Sequence, residues 1–174
     1  MLKIIVFVIV IVLVIVLVYA ATRPDELHVE RTISIKAPPE KIFALINDFR
    51  QWDGWTPYNK DPAMKKTYNG SASGKGAAYA WEGNSEVGKG EISIADATPS
   101  SRIAFDLHMI KPFEARNVVV FTLKASGDST EVMWGMDGRQ NLIAKVMGLF
   151  FDMDRMVGRD FETGLDRLKA IAEK

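Results

Sequence analysis

The sequence contains no cysteine. Disulfides, thiolate metal ligands and a cysteine nucleophile are therefore excluded. The compartment stays open, because a chain without thiols suits reducing and oxidising surroundings equally. Histidine is almost as scarce, at 2 residues. His28 and His108 each fall out of phase with the apolar alternation around them, which predicts that both face solvent and argues against a catalytic role. No His, Asp and Glu set has metal-ligand spacing, so no metal and no other cofactor is expected. A surplus of one charge is also missing: 22 Lys and Arg balance 22 Asp and Glu, for a formal net charge of +0. Without a basic stripe, nucleic acid is not an expected partner. Gly74-Lys75-Gly76 and Gly88-Lys89-Gly90 match neither the dinucleotide fingerprint nor a P-loop. They read as turns or strand-end bulges.

What the chain does have is one long apolar run. Ile4 to Ala21 carries no charge. At roughly 18 residues it makes about 27 Å of helix, close to the ~30 Å hydrocarbon core of a bilayer. Tyr19 stands at its far edge, where an amphipathic ring favours the interface, and Arg23-Pro24 stops the helix. Two readings compete for residues 1–22. One is a retained transmembrane anchor. The other is a cleaved signal peptide, with Lys3 as its n-region and Val18-Tyr19-Ala20 as a small-residue cleavage site. The run is long for a signal peptide, which favours the anchor. Lys3 and the free amine then favour a cytoplasmic N-terminus, giving a single-pass protein whose domain lies outside the cytoplasm. Residues 23–26 form a short linker. Residues 27–174 fit one domain of about 150 residues, large enough to bury roughly 70% of its unfolded surface without staples.

Within that domain Leu27, Val29, Ile33 and Ile35 alternate with polar residues, the pattern of a half-buried strand. Arg31 interrupts its apolar face. Pro38-Pro39-Glu40 opens a short amphipathic helix through Ile46. A Trp-rich stretch follows, and then about six strands separated by turn signals such as Glu82-Gly83-Asn84-Ser85 and Ser126-Gly127-Asp128. Asn141 to Phe151 is an apolar helical or irregular stretch. Met153, Val157, Phe161, Leu165, Leu168 and Ala172 then mark one face of a helix of about five or six turns. Hairpins with segregated helices predict an α+β domain. The economical arrangement is a curved antiparallel sheet of about seven strands around the long C-terminal helix, a shape that tends to leave a cavity.

The residues also carry a resemblance. Ile33-Ser34-Ile35-Lys36-Ala37-Pro38-Pro39-Glu40-Lys41-Ile42-Phe43, followed by Asn47-Asp48-Phe49 with Trp52 and Trp55, resembles the opening of SRPBCC (START-like, helix-grip) domains. Gly74-Lys75-Gly76, Trp81-Glu82-Gly83-Asn84, Lys111-Pro112-Phe113-Glu114 and Phe161 with Gly164-Leu165 and Leu168-Lys169 also fit. The likeness is greatest to polyketide cyclase/dehydrase-like proteins with an N-terminal transmembrane helix. It implies a helix-grip fold and a pocket for a hydrophobic small molecule, lipid or polyketide-like. Those motifs specify the fold and carry no catalytic signature, so a cyclase or dehydratase activity stays an alternative, as does a membrane-proximal protein-interaction module.

The candidate pocket residues are the aromatics and their neighbours. Trp52 and Trp55 either line a cavity mouth or fill the core. Tyr79, Trp81, Phe105, Phe121 and Trp134 fall on inward strand faces. Some of them pack on the C-terminal helix through Val157 and Phe161, and others border a void. Met136 and Met153, with Met133, Met147 and Met156, supply either adaptable ligand contacts or a loosely specified core. Arg31, charged on an inward face, is either paired by Glu162 or Asp166 or available to an anionic ligand head.

Overall fold

A computed structural model describes residues 1–174. Helix α1 (Leu2–Ala21) is long and apolar enough to cross a membrane. It stops where the sequence predicts, with Thr22 as its C-cap. The domain then runs β1 (Glu26–Ile35), α2 (Pro39–Ile46), a 3-10 helix (Phe49–Gly54), β2 (Lys65–Gly70), β3 (Ala77–Glu82), β4 (Lys89–Thr98), β5 (Arg102–Lys111), β6 (Ala115–Ser126) and β7 (Ser129–Arg139). Two helices close it, α3 (Leu142–Gly148) and α4 (Met153–Ala172).

The seven strands form one antiparallel sheet in the order β1-β7-β6-β5-β4-β3-β2. Consecutive hairpins account for every neighbour except β1, which returns to pair with β7 from Glu26↔Arg139 to Ile35↔Thr130. This is the α+β helix-grip arrangement, with the period-two alternation setting the faces. Val29, Phe105, Val119, Phe121, Val132 and Trp134 point inward, and their strand neighbours point out.

Helix α4 buries Phe161, Leu165, Leu168 and Ala172 and lies mainly along β1. Asp152 caps it by accepting the Arg155 N–H at 3.0 Å. Two glycines set its distance from the sheet. A Cβ on Gly164 would meet the Trp134 ring at 2.7 Å, and one on Gly158 would lie 1.9 Å from the Arg31 guanidinium. Both glycines, which would weaken an isolated helix, are places of close approach.

The glycine triplets are turn chemistry. Gly74 and Gly76 have φ of 71° and 86° in the β2–β3 connection. Gly88 has φ of 65°, and the register shifts between Lys89 and Gly90.

Candidate functional site

The interior between sheet and α4 is an aromatic assembly. Trp134 stacks on Phe161 with centroids 4.2 Å apart and also meets Phe121 at 4.8 Å. Trp55 packs edge-on to Phe121 and Trp134. Trp52 joins Trp55, Phe49 and Phe105 at 5.1, 4.9 and 5.5 Å. The chain of rings continues through Tyr79 to Tyr68 and Trp81. Local structure places the pair that sequence spacing singles out: the 3-10 turn, capped by the Asp48 side chain, drops Trp52 and Trp55 onto the sheet. Their indole N–H groups donate to the carbonyls of Ile46 (2.9 Å) and Leu45 (3.2 Å) at the end of α2. Both rings are buried, and both polar edges are satisfied.

The candidate residues therefore divide. Trp52, Trp55, Phe105, Phe121, Trp134 and Phe161 are buried and packed on one another. Tyr79, Trp81 and Val157 are only partly covered, together with Leu107, which is not among the residues predicted to line a pocket. The reason is topological. Helix α4 lies along β1, α2 meets β6 and the 3-10 turn meets part of β3, while the loop after it runs from Lys60, paired with Asp160 of α4, to Asp61, which accepts the Asn84 N–H beyond β3, and leaves the inner face of β3–β5 half-covered.

One polar group stands out in the middle of the assembly. The Trp134 Nε1 is buried and has no hydrogen-bond acceptor. A buried donor without a partner costs about 1–3 kcal/mol.

The methionines do not form one interior cluster. Met136 is buried, but Met147 and Met156 are exposed. Met133 faces away from the core, because it alternates with inward Val132 and Trp134. Met153 is half-buried at the start of α4. A cluster in sequence becomes a scatter in space because strand alternation and the helix period send neighbours in different directions.

Arg31 is paired. Its Nε donates to Glu162 Oε1 at 2.9 Å, and Nη1 and Nη2 donate to the Asp154 carboxylate at 3.1 Å. Glu162 is one of the two partners proposed from sequence. The other proposed partner, Asp166, takes no part, and Asp154 stands in its place. The guanidinium lies over Gly158, and residues four before and four after it on the helix are the ones that flank it. Hydrogen bonds from Arg31 hold the Asp154 carboxyl below its usual range, and the same bonds raise the Arg31 pKa.

Both histidines lie on the outer sheet face. His28 donates from Nδ1 to the Asp137 carboxylate at 2.6 Å, which raises its pKa, and His108 meets Glu114 at 3.1 Å. They border a shallow concavity of about 580 Å³ in which Arg116 and Arg139 face Glu26, Asp106 and Asp137. A second concavity, about 530 Å³, lies beside α2 at Lys41, Phe43 and Gln51. Neither includes the aromatic interior.

The topology and the α4-gripping sheet define the class: a helix-grip α+β domain. Residues 26–173 match the family described as polyketide cyclase / dehydrase and lipid transport, and the chain belongs to it. Solved structures share the fold at low identity. Protein CV1439 from Chromobacterium violaceum is 15% identical, with a TM-score of 0.61 over 87% of this chain and 99% of that one. Aha1 from Colwellia psychrerythraea, solved as a dimer, is 16% identical, with a TM-score of 0.60 over 84% and 96%. CalU16 from Micromonospora echinospora is 16% identical, with a TM-score of 0.55 over 84% and 81%. No curated protein matches the chain.

Proposed function

We propose that the protein is a membrane-anchored domain that binds a hydrophobic small molecule, lipid or polyketide-like, against the inner face of its sheet. The observation that carries this reading is the partly covered apolar strip of Tyr79, Trp81 and Leu107 beside the packed aromatic interior. An apolar ligand completes that strip by removing it from water, at about 25 cal/mol per Å². The family description, which joins polyketide chemistry with lipid transport, supports the ligand class. Helix α1 is the anchor, and the Lys3 side is cytoplasmic by the positive-inside rule, which places the domain outside the cytoplasm.

Binding, rather than acid–base chemistry, is the part the geometry supports. The phenols nearest the strip, Tyr79 and Tyr68, are pushed upward by burial. Desolvation pushes the nearby Asp53 carboxyl up, but hydrogen bonds from Lys66 and Asn59 outweigh it and hold the group low. All three move away from neutrality, where a general acid or base works best.

Native mass spectrometry of the full chain released from native membranes tests the reading. Wild-type protein should retain an apolar small molecule. Leu107→Arg, which puts a charge on the open strip, should lower retention by about tenfold or more. Ligand-free wild type that also fails to take up fluorescent apolar probes would sink the proposal. For the anchor, the expected outcome is full-length mass and resistance to alkaline carbonate extraction. A mass lacking the first helix would establish a cleaved signal peptide instead.

A further inference from the structure

The segment between the sheet and α4 has its polarity reversed for a water-facing surface. From Gln140 to Phe151 the only charged residue is Lys145. It is turned inward, buried, and ion-paired with Asp25 at the root of β1. The apolar side chains face out: Ile143 is 61% exposed, Phe150 70% and Phe151 53%, with Leu142 and Met147 beside them. A contiguous apolar patch of this kind marks a partner or a membrane.

The position of α3 decides between them. Helix α3 packs against α1. On α1 the contact is marked by Ala20, which is fully buried, and Val16, which is half-buried, while every other residue of that helix is exposed. Val16 lies about 8 Å down the helix axis from Ala21. An element held against that last turn and a half sits at the depth of the headgroup–acyl boundary, where amphipathic segments bury their apolar face by about 5–10 Å. The β5–β6 hairpin tip belongs to the same end of the sheet, because Glu26 pairs with Arg139, Gly138 with Asn117, and Arg116 with His108. It carries Phe113, also 61% exposed.

We propose that α3 and the turn after it are seated in the lipid interface beside α1, so that Leu142, Ile143, Met147, Phe150 and Phe151 contact lipid. This rests on the reading of α1 as a membrane span. The seat orients the domain: the end of the sheet that carries the half-covered strip faces the bilayer surface.

The cysteine-free sequence allows a direct test. Single Ile143→Cys, Met147→Cys and Phe150→Cys variants of the full chain are spin-labelled and reconstituted into phosphatidylcholine–phosphatidylglycerol nanodiscs. Collision with oxygen is compared with collision with a polar nickel chelate. Val10→Cys reports the span, and Lys124→Cys, at the far end of β6, reports water. The expected result is oxygen-dominated collision at 143, 147 and 150, as at 10, and chelate-dominated collision at 124. Chelate access at 143, 147 and 150 with 10 still lipid-exposed overturns the seat and leaves the anchor standing. Shielding of the three sites from both reagents shows a protein partner and overturns it too. Chelate access at 10 overturns the anchor, and the seat with it.

Discussion

The half of the domain far from α1 and the half next to it draw on the same apolar residue types and finish them differently. At the far end Ile35, Ile42, Ile46, Trp55, Leu168 and Ala172 are almost wholly buried. Polar tie-downs close over them: Lys169 donates to the Ser34 carbonyl at 2.7 Å, and Glu173 accepts the Lys36 N–H at 2.7 Å. At the near end Trp81 and Leu107 are half-covered, and Ile143, Phe150 and Phe151 stand out. A uniform core would bury both ends alike. The asymmetry separates the two halves physically: the far half is closed on itself, and the near half leaves apolar surface that the proposed ligand and lipid contacts would cover.

The contrast is broken first by truncation. Phe161→Ala removes the ring stacked on Trp134 and should cost about 3–5 kcal/mol, read as a loss of about 10 °C in Tm. Phe150→Ala should leave Tm almost unchanged, because an exposed ring contributes within about 0.5 kcal/mol. Equal losses in the two variants would erase the distinction. Added bulk gives the next effect. Gly164→Ala drives a Cβ into the Trp134 ring and should cost about 1–3 kcal/mol. Gly158→Ala meets the end of a flexible Arg31 and should cost less, so the order of the two denaturation midpoints is the readout.

Smaller effects belong to the near half. Asp25→Asn weakens the pair with Lys145, and hydrogen exchange over α3 should rise severalfold while the far half keeps its protection. Acid gives the last measurement. Hydrogen bonding and charge from Lys145 hold the Asp25 carboxyl low, and Arg31 does the same to Asp154. Depressed carboxyls contribute stability that is present above their ordinary pKa of about 4 and is lost as pH falls through the lower folded values. The urea midpoint should therefore decline below that pH. In Arg31→Met the decline should be shallower, because Asp154 loses the partner that chiefly holds its carboxyl low.

Much of this was legible in the residues. The stripe Phe161, Leu165, Leu168 and Ala172 gave the gripping helix, and alternation gave the inward aromatics, because both follow from local periods. The Glu162 partner of Arg31 was within reach for the same reason. Asp154 was missed in favour of Asp166 because the choice depends on where β1 crosses α4, a long-range register no local pattern contains. Buried and half-covered parts of the sheet's inner face use the same residue types, so only the covering elements separate Trp55 from Trp81. The sequence also gave no sign that Leu142 to Phe151, apolar like a core segment, would face outward.

The shortest piece of chain has the widest consequence. Only Thr22 to Asp25 separates α1 from β1, at most about 15 Å when fully extended. It is shortened further by the Gln140 N–H held on the Asp25 carbonyl at 2.7 Å. With α1 in a bilayer, as proposed, such a leash would permit no swing from one membrane to another. On the proposed reading, a protein rooted this way would work as a fixed station rather than a ferry: its ligand would be loaded from, and handed back to, the sheet of lipid in which it stands, or passed to a mobile carrier that comes to it.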